Sequence, residues 1–554
     1  MNYIKKEIKD SIIRASPGTV ILLSAPVGSG KTSFCLNELW LHCRVQGQQL
    51  LVVVNRSALR GQLKKEIFKK MGLPMEVPIV EQGYLEFDNL IIASYQYLQE
   101  LFRWNQGSSP EMRIGSMRAK DFDFVAFDEI HYLIRDSIFS AKTAYLNRLP
   151  AAFPRAVRIY ISATLAPVRN LILELEQIRD LYEDYSDNLR RKLLDFRYID
   201  VGPVRRGVQR DVLELRGAEA DFSYFVPVIL EEDSDLVAVI SSKIQSGDAG
   251  KWLIFTDSKE QGKELKTNLI TAGIKAAFVA ADGMDEDDQK ELENVLLKGR
   301  FSTQVLLATD VIDNGVSLLD KNLMHLVISG FEAIRAVQQA GRIRVKSRET
   351  RIELLIVRHS AEYFNRKRFS YTKKLMAYKV FSSGNEERIF NYLMEFGNKE
   401  ITGLFYQGID GKNRPNFFAG RALEYFSTEL TDNIERIRKD PDGYIEKVLR
   451  WFGLSYNPES DQRLKNRSVA EKELKEFLQK GINVPMTGMH WDCFRKRFRE
   501  LHESATGEQL CSGRTDRLPG VGIIKKILMS YGYALTGERK IYVINEEKKR
   551  CTIS

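Results

Sequence analysis

The sequence predicts an α/β protein with two tandem parallel sheets, each wrapped by helices, followed by a mainly helical region. Three observations lead there. First, short runs of almost wholly apolar residues alternate with helical stretches. Second, the runs fall into two series: residues 19–25, 50–54, 90–94, 122–128 and 157–162, then 251–256, 276–280, 303–309, 323–329 and 352–358. A strand that is apolar along its whole length is buried on both faces, as in a parallel sheet covered by helices. Third, beyond about residue 359 the composition turns charged, aromatic and helical in pattern.

These runs divide the chain into a first lobe over 1–168, a helical connector or insertion over 169–234, a second lobe over 235–362 and a helical C-terminal region over 363–554. In the connector, Leu171, Leu173, Leu175, Ile178 and Leu181 form a stripe at helical spacing. Near the end, 520–532 reads as a helix, and 533–544 as two strands around a turn containing Gly537. Helix followed by hairpin is the tail of a winged helix, placed here near 465–548.

Bulk composition bounds the function. A chain of 554 residues with 44% hydrophobic content can build three or four cores of about 150 residues each. The net charge of +9 suits a polyanionic partner. The five cysteines, Cys35, Cys43, Cys493, Cys511 and Cys551, are scattered and contain no CxxC pair, which argues against a zinc site or a disulfide framework. The N-terminus carries acids and lacks the apolar core of a signal peptide. No apolar run approaches the roughly 20 residues that cross a bilayer. The expectation is a cytoplasmic protein without membrane contact.

The chemistry begins where the first run ends. Ala25-Pro26-Val27-Gly28-Ser29-Gly30-Lys31-Thr32 joins an apolar strand to a helix-like run. Gly28 and Gly30 allow a tight turn whose N–H groups point at phosphate oxygens, and the helix adds its positive end. Lys31 is placed to reach the β- and γ-phosphates of ATP, and the Thr32 hydroxyl to join a Mg²⁺ shell. Asp128-Glu129-Ile130-His131 closes the fourth run. Phosphoryl transfer to water needs a metal to neutralise charge and a group to orient the nucleophile. Asp128 is the candidate for the metal and Glu129 for the water.

The first lobe lacks a cation for the γ-phosphoryl in the transition state. The second lobe carries Gln338-Gln339-Ala340-Gly341-Arg342-Ile343-Arg344. If the lobes face each other across ATP, Arg342 and Arg344 supply that charge when the cleft closes, and Gln338 helps orient the water.

With Ser162-Ala163-Thr164, the strand 252–258 and the segment 308–315, these motifs resemble those of the superfamily 2 helicases, in the DExH branch. The resemblance covers roughly residues 15–360. It implies two RecA-like lobes, ATP with Mg²⁺, and a nucleic-acid strand crossing both lobes. It implies that Gly315 belongs with the nucleotide loop, and that Ser162, Thr164 and His131 couple the ATP state to the strand. Residues 55–62, with Arg56 and Gln62, and residues 93–96, with Ser94 and Gln96, resemble the motifs that touch the phosphodiester backbone in the first lobe. Thr256, Ser258 and Thr309 correspond in the second. Such side chains bond phosphates without reading sequence.

The chain also departs from the family pattern. The usual final arginine position, three residues after Arg342, is Val345, and Arg344 comes one residue early. This Gly-Arg-Ile-Arg form resembles that of viral origin-binding and some phage or plasmid helicases. Ser317 stands where many relatives place a ribose-binding aspartate. No glutamine precedes the phosphate loop, so the adenine-reading motif of the DEAD-box branch is missing.

Two further segments mix cations with aromatics. Residues 363–379 hold six basic residues, no acid and five aromatics, and 491–499 are similar. Each reads as a stacking-and-phosphate surface or as an amphipathic helix burying its rings. The expected function is an ATP-dependent helicase or translocase. DNA is favoured by the winged-helix pattern and the Gly-Arg-Ile-Arg form. The alternative is an ATP-gated nucleic-acid clamp serving a protein partner through the connector or C-terminal region.

Overall fold

A computed structural model describes residues 4–26, 28–55, 68, 83–105, 112–177, 211–217, 220–231, 236–256, 258–280, 283–309, 317–345, 350–397, 403–408, 413–456, 462–506, 510, 518–531, 533–538 and 541–546. It divides into two compact units, one of residues 1–227 with 232–455, the other of 228–231 with 456–554.

The first unit holds the first sheet and all of the second except residues 228–231 of one edge strand. In the first lobe the strands are β1 (Val20–Ser24), β2 (Leu50–Val54), β3 (Tyr84–Phe87), β4 (Leu90–Ser94), β5 (Arg113–Ile114), β6 (Met117–Arg118), β7 (Phe124–Phe127), β8 (Val157–Ser162) and β9 (Val212–Arg216). Seven of them form one sheet in the order β3-β4-β2-β7-β8-β1-β9. Pairing is parallel from β4 to β9, and β3 turns back antiparallel on β4. Central strands β2, β7 and β8 are buried at every residue. β8 and β1 end level at Ser162 and Ser24, and β7 ends at Phe127 beside Tyr160, so all three strands open on the carboxyl edge. Open parallel sheets bind their ligands at this edge.

The second lobe contains β10 (Phe225–Glu231), β11 (Lys251–Phe255), β12 (Ala276–Val279), β13 (Val305–Ala308), β14 (Leu323–Ile328) and β15 (Ile352–Arg358), in the order β10-β15-β14-β11-β13-β12. Strands β11 to β15 pair in parallel, which confirms the predicted class.

The sequence reading differs from the fold in the connector and at β3. Residues 169–234 are not helical throughout. Helix Ala166–Leu175 buries Leu171, Leu173 and Leu175, but 212–216 form β9 at one sheet edge and 225–231 form β10 in the other sheet. Ile178 and Leu181 lie outside the described residues. β9 escaped notice because Val212-Leu213-Glu214-Leu215-Arg216 is an edge strand with polar residues exposed, unlike the wholly apolar central runs. β3 was missed for a similar reason, being short and half-buried.

Four helices continue the first unit: Ala361–Ser382, Glu386–Phe396, Phe417–Lys439 and Gly443–Trp451. They are tied to both lobes. Asn416 is fully buried and its amide donates to Ser137 O (3.3 Å), Ser140 O (3.3 Å) and Thr143 Oγ1 (2.9 Å) of the first lobe. Arg421 forms a 2.6 Å ion pair with Glu174, and Arg358 at the end of β15 pairs with Asp442.

In the second unit helices Gln462–Lys480, Gly488–Thr506 and Val521–Ser530 precede the hairpin β16 (Tyr533–Glu538) and β17 (Ile541–Glu546). Short bridges join Ile482 to Ile544 and Met486 to Tyr542, adding a third strand position between the first two helices. Gly537 lies within β16, opposite Tyr542, and not in the turn. The cations-and-rings segment 491–499 resolves as a packing helix. Trp491, Phe494 and Phe498 are buried with Leu474, Ile524, Leu528 and Ile544, which rules out a stacking surface there.

Candidate functional site

The site is assembled from three adjacent strand ends of the first lobe and one helix end of the second. After β1 the chain turns through Gly28 (φ 78°) and Gly30 (φ 81°) into the helix beginning at Lys31. This left-handed backbone strains any residue with a Cβ. Ala25 N donates to Ser162 O (3.1 Å) and Ser29 N to Pro26 O (3.2 Å), which pins the loop to β8 and to itself. Lys31 is buried. Its ammonium donates to Ala25 O (3.1 Å) and pairs with Glu129 Oε1 (3.3 Å). The Thr32 hydroxyl donates to Asp128 Oδ2 at 3.0 Å.

Asp128 and Glu129 follow β7. Asp128 is held from two sides: its N–H donates to Val53 O (2.8 Å), and its carbonyl accepts from the Tyr95 hydroxyl (2.9 Å). Glu129 takes φ 53°, a left-handed conformation that costs a non-glycine residue roughly 1–2 kcal/mol. Its N–H donates to Asp128 Oδ1 at 3.0 Å. Burial, and then the charge on Glu129, push the Asp128 carboxyl above the usual carboxylate range. Burial acts the same way on Glu129, but Lys31 and Arg342 outweigh it and hold this carboxyl well below that range. Of the two carboxyls, Glu129 holds its charge the more firmly.

The second lobe enters through helix Ala333–Ala340 and the segment after it. Gln338 is fully buried against the first lobe. Arg135 donates to its Oε1 (3.2 Å), which fixes the amide and turns Nε2 toward His131 Nε2 (2.6 Å) and Glu129 Oε2 (3.5 Å). An amide nitrogen only donates, so His131 Nε2 accepts and the imidazole hydrogen sits on Nδ1. Nδ1 lies 3.2 Å from Ser162 Oγ, which in turn accepts from Thr164 N at 3.0 Å. Burial, reinforced by Arg135, Lys31 and Arg342, lowers the His131 pKa to about 3 against the pull of Glu129, so the ring is neutral.

Arg342 and Arg344 flank Ile343, which bridges to Leu318 and is anchored by Leu318 N to Arg342 O (2.8 Å) and Arg344 N to Leu318 O (2.9 Å). The Arg344 guanidinium lies over the Gly28 backbone, so a Cβ at Gly28 would overlap it. Burial and the charge on Arg342 both disfavour the charge on Arg344. Arg342 is almost buried, and its Nε has no hydrogen-bond partner among the described residues. Among those residues no carboxylate forms an ion pair with either arginine.

Fifteen expected residues therefore meet in one place: Ala25, Pro26, Gly28, Ser29, Gly30, Lys31, Thr32, Asp128, Glu129, His131, Ser162, Thr164, Gln338, Arg342 and Arg344. Val27, Gly315, Arg56 and Gln62 lie outside the described residues. The expected backbone contacts are differently engaged. Ser94 and Ser258 accept from Tyr97 N (3.0 Å) and Gln261 N (3.1 Å), capping their helices. Ser94 and Thr256 are also buried, so in this conformation neither hydroxyl faces solvent. Gln96 bonds Asn55 Oδ1 (3.2 Å), and Thr309 is half-buried at the end of β13. Sequence reasoning missed Arg135, which lies four residues after His131, and Tyr95, which stacks on Tyr132 at 4.8 Å beneath Asp128. Both signals were available: helical spacing from a candidate residue, and adjacency to Ser94 at the end of β4.

The residues fit a divalent cation with triphosphate. The Thr32 hydroxyl and Asp128 carboxylate share one spot, Ser29 Oγ is buried without a partner among the described residues, and Gly28 and Gly30 leave the loop backbone open. Among the described residues no cluster of three or more His, Cys, Asp or Glu could hold a metal alone.

Both lobes resemble known protein families. Residues 2–167 match the pattern of the type III restriction enzyme res subunit, and residues 234–346 that of the helicase conserved C-terminal domain. A protein of Sulfolobus islandicus filamentous virus described as a helicase is 24% identical over 362 residues, 62% of this chain and 61% of that protein. One of Methanocaldococcus jannaschii described as an ATP-dependent helicase is 24% identical over 318 residues, 54% of this chain and 33% of that protein. The chain thus spans less than two thirds of either relative. Among solved structures, Saccharomyces cerevisiae Dbp5 bound to RNA and ADP BeF3 is 13% identical with a TM-score of 0.41, covering 77% of this chain and 94% of that one. These two domains, in this order along one chain and with helicase relatives, support membership of the superfamily 2 helicases.

Proposed function

We propose that this protein is an ATP-dependent helicase or translocase of the DExH branch, acting on nucleic acid with ATP and Mg²⁺. The observation that carries the reading is the Gln338 amide of one lobe set between His131 and Glu129 of the other, with Arg344 over Gly28. A nucleotide in the loop would feel both lobes at once.

In this reading Gly28 and Gly30 expose backbone N–H groups to the phosphates. Lys31 exchanges its contact with Glu129 for the β- and γ-oxygens. Thr32 and Asp128 would hold Mg²⁺, which neutralises phosphate charge when bound. Glu129, kept ionised, accepts a hydrogen from the attacking water and orients it. Arg342 and Arg344 offset the charge that develops on the γ-phosphoryl, and Gln338 keeps the water in place. Release of phosphate loosens the cation-mediated closure, and the His131–Ser162–Thr164 chain passes that change along β8. A strand bound across both lobes then moves with them.

DNA is favoured over RNA. The second unit runs helix, bridge strand, helix, helix, hairpin, which is the element order of a winged helix, a common DNA-binding module. Among the described residues no helix is long and apolar enough to cross a membrane. With scattered free cysteines, this supports a cytoplasmic setting. The clamp alternative has no observation of its own in its favour.

The test is ATP hydrolysis with and without single- and double-stranded DNA and RNA, beside displacement of a labelled strand from a partial duplex. Hydrolysis stimulated by DNA, with displacement, is expected. Hydrolysis and binding without displacement or translocation would favour the clamp. Hydrolysis indifferent to every nucleic acid would end the proposal.

A further inference from the structure

We infer that the exposed face of helix Ala361–Ser382 is a contact surface for single-stranded nucleic acid, with Phe369 as its stacking platform. This rests on the nucleic-acid reading above and gives it a location outside the motifs. Arg366, Phe369, Lys373 and Met376, at helical spacings of three, four and three, share one side of the helix. Phe369 is 73% exposed and Met376 51%, and Arg366 is exposed between turns. The opposite side is committed to packing: Phe364 and Tyr378 are buried, and Tyr371 meets Phe426 of helix Phe417–Lys439 at 5.3 Å. The exposed ring is therefore not an unfinished core contact.

Charge selects the occupant. Residues 363–379 carry six basic side chains and no acid. Three of the cations stand over rings: Lys367 over Tyr363 (5.5 Å), Lys373 over Phe396 (5.4 Å) and Lys374 over the 72% exposed Phe139 (5.4 Å). Solvent-facing rings interleaved with cations suit unpaired bases, which stack on any aromatic, and phosphates, which need only positive charge. A paired duplex has no base face to offer Phe369.

Position supports the same occupant. The helix leaves β15 at the carboxyl edge of the second sheet, where Thr256 and Thr309 also lie. It is fixed there: Ser360 accepts from Tyr363 N (3.1 Å) to cap it, and His359 contacts Ser329 O at 2.6 Å. A strand leaving that edge meets a rigid surface.

The experiment measures binding of a fluorescent oligo(dT) single strand, and of a duplex of equal length, across a salt series. It uses the full chain, Phe369→Ala, and Arg366→Ala combined with Lys373→Ala. Phe369→Ala is expected to weaken single-strand binding about ten-fold at every salt concentration, since stacking does not release counterions. The double variant is expected to weaken binding and to flatten the logarithmic salt slope by about 1.4, from two phosphate contacts. Variants indistinguishable from the parent, or a loss confined to the duplex, would overturn the inference while leaving the proposed function standing. A parent chain that binds no strand at any salt would overturn both.

Discussion

The two lobes meet at one site but are built in opposite ways. In the first lobe the charged groups satisfy one another: Lys31 pairs with Glu129, Thr32 bonds Asp128, and both acids follow one strand end. In the second lobe Arg342 and Arg344 are buried or half-buried beside each other, and no carboxylate pairs with them among the described residues. Burying two like charges is unfavourable unless an anion offsets them. The first lobe is therefore complete by itself, whereas the second is organised around negative charge that it does not contain. On the proposed function, binding would belong mainly to the first lobe and rate to the second.

Lys31→Ala tests the first half of that contrast most severely. It should abolish hydrolysis, lowering turnover by more than about 10³-fold, and weaken binding of a fluorescent ATP analogue as well. Arg344→Ala and Arg342→Ala should each lower turnover by about 10²–10³-fold, with analogue binding changed by less than about ten-fold. Equal losses of binding in the lysine and arginine variants would erase the distinction between lobes.

Gln338→Ala should have a smaller effect, on the order of ten-fold on strand-stimulated turnover, because it orients and does not neutralise charge. Gly28→Ala probes the point where the lobes touch. Its Cβ would meet the Arg344 guanidinium and strain a backbone at φ 78°. Turnover should fall about ten-fold, and thermal stability by roughly 1–2 kcal/mol.

The mildest test is pH. The folded His131 pKa is about 3, below its unfolded value of about 6.5, so between these values the unfolded chain binds a proton that the folded chain refuses. Stability from this group is complete above the unfolded value. It declines as pH falls through that window, by up to about 1.4 kcal/mol per unit. His131→Gln should show a shallower decline in urea midpoint from pH 6.5 to 4.5 than the parent. Identical slopes would mean that the imidazole is not buried between Ser162 and Gln338.

Residues 363–379 and 491–499 show where sequence stops being sufficient. Both alternate cations with rings at helical spacing. Trp491, Phe494 and Phe498 close the core of a small unit with Leu474, Leu478, Ile524, Leu528 and Ile544, whereas Phe369 points away from a helix pair already filled by Phe364, Tyr371 and Tyr378. Which side of an amphipathic helix is covered depends on what else is available to cover it, and composition does not record that. The same limit hid β9. An edge strand needs only half its residues apolar, so its pattern resembles a helix as much as a strand.

By itself, the sequence determined the two-sheet class, the central strands, the glycine turn at 28–30, and the residue types at each strand end. These are local matters: period, φ preference and the position of a motif at the end of an apolar run. Only the tertiary structure decided that Arg344 lies over Gly28, that Arg135 orients the Gln338 amide, and that His131 is neutral with its hydrogen on Nδ1. Each of those depends on groups some two hundred or more residues apart approaching within hydrogen-bonding range in a buried place, where the surroundings fix protonation and direction.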